Sequence, residues 1–209
     1  SNDALEEDAI AIGHRSEATA YRSLAIGYDS DARDTASIAI GDDSFAGANN
    51  AIAIGTSTAA FGLFSTAVGV NNSAGGTEAS AFGRSNSADS LYSTAIGARN
   101  QVEARYATSV GYNNDIAPTG TFSSAFGYEN TPDGSSASAL GYSNIADGAF
   151  STAVGYNNTV NGDNASALGW GNMASTDNSL ALGRGIVADI YGMTAIGIYN
   201  QDVFGSASS

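Results

Sequence analysis

Ser37-Ile38-Ala39-Ile40-Gly41-Asp42-Asp43-Ser44 is the stretch that decides the fold. Fourteen residues earlier the chain reads Ser23-Leu24-Ala25-Ile26-Gly27-Tyr28-Asp29-Ser30. Fourteen residues later it reads Ala51-Ile52-Ala53-Ile54-Gly55-Thr56-Ser57-Thr58. The step continues to both ends. Glycine stands at 13, 27, 41, 55, 69, 83, 97, 111, 127, 141, 155, 169, 183 and 197, and the only gap that is not 14 is the 16 from Gly111 to Gly127. The residue before each glycine is apolar: Ile12, Ile26, Ile40, Ile54, Val68, Phe82, Ile96, Val110, Phe126, Leu140, Val154, Leu168, Leu182 and Ile196. The residue before that is Ala in every copy except Ser109. A fixed period of this kind means one small unit stacked many times.

Fourteen is also two heptads, so a coiled coil has to be weighed. Glycine at every repeat would cost a helix about 1 kcal/mol each time, and no sustained apolar a/d seam runs along the chain. What recurs is apolar alternation with period two, punctuated by Ser, Asn, Asp and Gly. Each repeat is therefore one rung of a β-solenoid. Six-residue periodicity and the G-G-x-G-x-D calcium repeat are both absent. Fourteen residues accommodate two strands of about five residues and two tight turns, which predicts a flattened two-sided roll. The fold class is all-β, a parallel solenoid of 14-residue rungs, read as one domain over 1–209 with about fourteen repeats.

Positions within a rung are counted from its glycine. Positions +5 and +7 are small, as in Ala46 and Ala48, and so are +10 and +12. These are expected to fill a thin interior. Positions +11 and +13 then point outward. The +13 column is the apolar series above, and +11 changes from Leu24, Ile38 and Ile52 to mostly Thr or Ser. In a single chain this would leave an unbroken apolar strip, which is an interaction surface or an aggregation liability. Self-association about a symmetry axis would bury it. The +13 residues from Ile26 to Ile196 are accordingly the expected subunit interface of a homotrimer. Position +3 begins as Ser16, Ser30 and Ser44 and becomes mostly Asn, at 72, 86, 100, 114, 130, 144, 158, 172 and 200. Stacked in register, these side chains predict a structural hydrogen-bonded ladder. Both prolines, Pro118 and Pro132, fall near the two-residue insertion, where an irregular turn is expected around 115–120.

Composition excludes several functions. The net charge is −14 and all seven basic residues are Arg, which disfavours nucleic acid and anionic membranes. There is no Cys and a single His, His14, expected to be a solvated turn residue. A nucleophile–His–acid site and a Cys/His metal site are not available. No enzyme activity, metal or cofactor is expected. The acidic residues Asp29, Asp31, Asp34, Asp42 and Asp43 read as a solvated patch. No leader or apolar spanning stretch is seen, so this segment is not expected to touch a membrane. Because the repeat runs to both ends, the chain is expected to be part of something longer. Position +1 carries Tyr112, Tyr128, Tyr142, Tyr156 and Trp170 on five successive rungs. Such a ladder stabilises stacking, and it also offers anchors for a protein or a glycan. Tyr128, Tyr142, Tyr156 and Trp170 are the candidate ligand-binding residues.

The runs Ser23–Ser30 and Ser37–Ser44 resemble the head repeat of trimeric autotransporter adhesins, the YadA-type heads, written N-S-V-A-I-G-x-x-S. The closest rung is Asn50-Ala51-Ile52-Ala53-Ile54-Gly55-Thr56-Ser57-Thr58, with Ala51 and Thr58 where that pattern has Ser. The resemblance covers nearly the whole chain. It implies a left-handed parallel β-roll, three chains about one axis, and display on a bacterial surface through an outer-membrane anchor lying outside this sequence. It also implies adhesion to host cells, to matrix proteins such as collagen, to glycans or to other bacteria. The alternatives are a structural spacer of a longer surface fibre and, further off, an ice-binding solenoid built on the Thr of the +11 column.

Overall fold

The computed structural model describes residues 3–199. The chain forms two compact units, Ser1–Asn113 and Asn114–Ser209. Asn200, the last of the predicted +3 asparagines, lies outside the described residues.

In the first unit, five-residue strands run from Ile10–His14 to Thr108–Tyr112 at every rung. They pair in parallel, each residue with its equivalent one rung away: Ile38 with Ile52, Ala39 with Ala53, Gly41 with Gly55. A second parallel sheet runs on the other side, from Asp3–Ala4 to Gln101–Val102. Its strands are only two residues long, shorter than the roughly five that the period suggested. The reason lies in the turn that follows. In the Asp31–Ala32 rung, Ser37 N–H donates to the Asp34 carbonyl at 3.0 Å, so the chain is already reversing. Serine at +10 fastens this turn: Ser23 Oγ donates to the Ala20 carbonyl at 2.6 Å and accepts from Ala20 N–H at 3.2 Å.

The second unit repeats the plan, with long strands from Ser124–Tyr128 to Thr194–Ile198. Its short strands are Asp115–Ile116 and then Ile145–Ala146 to Val187–Ala188. Between them, Thr131 meets Ile145 only through an isolated bridge, and Pro132 follows. Pro has no N–H to continue a ladder. The inserted residues around Pro118 turn back on themselves, with Gly120 N–H donating to the Ala117 carbonyl at 2.9 Å. Ala117 N–H in turn donates to Asp133 Oδ1 at 2.9 Å.

Each interior is thin and made of small groups. The central alanines of the long strands, such as Ala25, Ala39 and Ala53, are fully buried. So are the +5 alanines, replaced in places by Val102, Ile116 and Val160. Inside this space the predicted asparagine ladder is present. Asn86 N–H and Nδ2 both donate to Asn72 Oδ1, at 2.9 and 3.1 Å. Asn86 Nδ2 also lies 2.9 Å from the Phe82 carbonyl and 2.8 Å from the Gly97 carbonyl. Asn100 repeats the pattern on Asn86. In the second unit the file runs Asn114, Asn130, Asn144, Asn158, Asn172 and ends where Ile186 N–H donates to Asn172 Oδ1.

Two backbone requirements explain the sequence period. The repeated glycine has φ of 134° at Gly41, and a Cβ there would sit 1.8 Å from the Gly55 carbonyl oxygen. No side chain fits between stacked rungs at that point. At +2 and +9 the chain takes a left-handed turn that most rungs make without glycine, as at Asp43 (φ 54°) and Asn50 (φ 56°), and that later rungs give to Gly171, Gly185 and Gly192. That conformation costs most side chains about 1–2 kcal/mol, and Asn and Asp tolerate it best.

Candidate interaction surfaces

Three surface features come out of this register. The first is the outward face of the long strands. Because the central Ala of each strand is buried, its neighbours on either side point away from the interior. The +13 residues therefore stand outside in both units. Val68, Phe82, Ile96 and Val110 are paired rung to rung in the first unit. Phe126, Leu140, Val154, Leu168, Leu182 and Ile196 follow in the second. Phe82 keeps 37% of its surface exposed and Phe126 42%. Ile26, Ile40, Val68, Val110, Val154 and Leu168 are half-buried by their neighbours in the column.

The second feature is the +1 aromatic ladder, which the structure brings together as a stack. Tyr128 and Tyr142 lie 4.8 Å apart at 2°, Tyr142 and Tyr156 4.9 Å at 6°, and Tyr156 and Trp170 6.0 Å at 9°. The Arg184 guanidinium covers Trp170 at 4.6 Å. Each ring face is thus used by the next ring, and what the ladder presents outward is ring edges and phenol hydroxyls. A sugar laid flat on an open aromatic face has no platform here, whereas hydrogen-bonding and edge contacts remain available. His14, expected to be a solvated turn residue, is exposed and stacked on Tyr28 at 5.1 Å and 6°. Tyr112 accepts a hydrogen bond from Arg99 Nη1 at 2.9 Å.

The third feature was not legible as a group in the sequence. Phe45 and Phe61 look like scattered surface residues along the chain, yet their rings lie 5.2 Å apart and Arg33 sits over Phe45 at 5.1 Å. Past the same turn, Tyr92 and Tyr106 stack at 5.1 Å and 16°. A hydrogen bond to Glu78 raises the Tyr92 hydroxyl's pKa. Phe45 and Phe61 stand at +4 and +6 of neighbouring rungs, and Tyr92 and Tyr106 both at +9, so only the stacking of rungs brings each pair together.

The acidic patch is partly neutralised. Arg15 reaches Asp29 at 3.5 Å and Arg33 reaches Asp31 at 2.5 Å. These side chains, with Glu17, Asp43 and Phe45, line an open cavity of about 300 Å³. Among the described residues, no group of three or more His, Asp or Glu could hold a metal ion. On the second unit, burial pushes the Asp147 carboxyl upward and Asp133 adds to the shift. The folded state therefore holds that proton more tightly than the unfolded chain. The stability this gives is full below the unfolded carboxyl range and is lost as pH rises through the folded pKa.

Stacked parallel rungs of fourteen residues, with a glycine file and no helix among the described residues, define a β-solenoid. The family model of the YadA head domain repeat matches residues 4–30, 34–58, 60–86, 74–100, 88–114, 133–158 and 161–185. The matches take in most of the chain, and the chain belongs to that family. The stretch between the matches at 114 and 133 contains the insertion and both prolines. No curated protein matches the chain.

Proposed function

We propose that this chain is the adhesive head of a bacterial surface fibre, working as a homotrimer of left-handed rolls held outside the outer membrane by an anchor elsewhere in the protein. One observation carries the reading. The outward apolar column recurs at every rung in both units, which fits a partner of the same period and leaves a solvated monomer unexplained. Family membership supports the adhesive role. Host cells, matrix proteins or glycans are the expected targets, and three copies of each surface feature would add avidity.

The self-assembly half of the reading is tested by light scattering, which should give three times the 20.9 kDa chain mass. Ile40→Asp, which would bring three carboxylates together, should dissociate the assembly, because unpaired buried charge costs several kcal/mol. A stable monomer at micromolar concentration would defeat it. The adhesive half is tested by binding to cultured cells and to immobilised matrix proteins. The chain is compared with a variant in which Tyr128, Tyr142, Tyr156 and Trp170 are all Ala. Lost binding with the fold intact supports a ligand-bearing ladder. The alternative, a spacer within the fibre, is favoured by the way stacking uses up the ring faces. It predicts no binding by either protein.

A further inference from the structure

The chain has no Cys, so no disulfide can staple one rung to the next. Its second unit nevertheless carries an oxidisable group at the same place on successive rungs. Tyr128, Tyr142 and Tyr156 are register partners in adjacent long strands. Their rings lie 4.8 and 4.9 Å apart and within 6° of parallel. At that spacing the ring carbons beside one hydroxyl face the next ring directly. All three side chains keep an exposed edge, so an oxidant in solution reaches the hydroxyls. Exposure alone does not mark these residues out. Tyr191 is more exposed, at 74%, and among the described residues no ring is stacked on it.

We propose that this ladder is a site of oxidative cross-linking, at which hydrogen peroxide and a peroxidase join neighbouring tyrosines of one chain as dityrosine. Each phenol gives up one electron and its hydroxyl proton. The two phenoxyl radicals then pair, forming a carbon–carbon bond between ring positions beside the hydroxyls. The hydrogens displaced from those carbons return to the oxygens, and both phenols are restored. Two electrons and two protons leave per cross-link, and they reduce one hydrogen peroxide to two waters. Holding both rings in place favours this coupling over one with a ring on another molecule. The net charge of −14 also keeps separate molecules apart. The bond falls where the short-strand ladder is interrupted. Between the rungs of Tyr128 and Tyr142 that side of the roll has only the isolated bridge of Thr131 to Ile145, beside Pro132. A bond from Tyr128 to Tyr142 closes a loop in the unfolded chain and so stabilises the folded one. The chemistry depends on neither the self-assembly nor the adhesive reading.

The test is oxidation of the purified chain by limiting hydrogen peroxide and a peroxidase, once folded and once unfolded in urea. Mass spectrometry of the digested product should find Tyr128 joined to Tyr142 and Tyr142 joined to Tyr156. The folded chain should yield these pairs about tenfold or more above the unfolded one, because folding holds the rings together. Dityrosine fluorescence should fall in Tyr142→Phe, which keeps a ring in the stack and removes the phenol, and should hold in Tyr191→Phe. A denaturing gel should show single chains. Ladder pairs no more abundant in the folded chain than in urea overturn the proposal. So does fluorescence that is lost with Tyr191 instead of Tyr142, which would mean that exposure selects the site. Cross-links that mainly join separate chains overturn it as well.

Discussion

Within the first unit, the rungs carrying Ser30 and Ser44 and the rungs carrying Asn72, Asn86 and Asn100 solve the same packing problem differently. Ser30 Oγ and Ser44 Oγ are buried without a hydrogen-bond partner. Thr58, at the transition, reaches the Thr56 and Gly69 carbonyls at 3.1 Å each. From Asn72 onward the longer amide spans from its own rung to the next and ties them together. The outside changes in the opposite sense. Leu24, Ile38 and Ile52 face outward where the interior is serine, and Ser80, Thr94 and Thr108 where it is asparagine, with Thr66 and Thr58 together at the transition. The early rungs thus place their potential stabilisation on an apolar face that needs a covering partner. The later rungs place it in hydrogen bonds they complete alone. Native-state hydrogen exchange should find the early rungs opening more readily in an unassembled chain and gaining most on assembly.

The largest perturbation should not distinguish the two regions. Gly41→Ala would put a Cβ 1.8 Å from the Gly55 oxygen, and Gly97→Ala 2.1 Å from the Gly111 oxygen. Both obstacles are backbone, and φ is 134° and 117°. Each substitution is expected to cost about 4 kcal/mol or more in chemical denaturation, at the extreme of single substitutions. A much smaller loss at Gly41 than at Gly97 would mean that the early rungs yield as a group, and the comparison would have to be redrawn around backbone compliance.

Asn86→Ala separates them. It removes the donors that serve Asn72 Oδ1 and the Phe82 and Gly97 carbonyls, and the acceptor used by Asn100 N–H and Nδ2. Leaving buried groups unpaired should cost about 3 kcal/mol in denaturant titration. The loss should appear in the monomeric background of Ile40→Asp as well, because the ladder is internal to one chain. A loss seen only in the assembled protein would place the ladder's contribution at the subunit interface instead.

The rung length, the inward and outward positions and the ladder itself were legible because each depends on a side-chain column fixed by the glycine period. Ile40 outward, Ala39 inward and Asn86 inward follow from alternation alone. The two-residue length of the short strands was not legible. It depends on where Ser37 and its equivalents close the turn, a hydrogen bond that composition does not announce. The stacking of Tyr128 on Tyr142 was expected, but its consequence for ligands was not: only the 4.8 Å, near-parallel geometry shows that ring faces are consumed. The pairing of Tyr92 with Tyr106 escaped notice because only the stacking of rungs brings the two together.

The smallest effect is also the one whose sign matters most. Ser44 is buried to within 1% and its hydroxyl has no partner, so it carries a desolvation cost that no bond offsets. Ser44→Ala removes that hydroxyl and leaves the Cβ in place. The expected change is a stabilisation of up to about 1 kcal/mol, opposite in sign to Asn86→Ala at the same rung position. Urea midpoints of the two variants in the Ile40→Asp background provide the measurement, free of any contribution from assembly. A clear destabilisation by Ser44→Ala would mean that the early interior is hydrogen-bonded after all, through ordered water between the rungs. The contrast between a partner-dependent early region and a self-sufficient later one would then lose its physical basis.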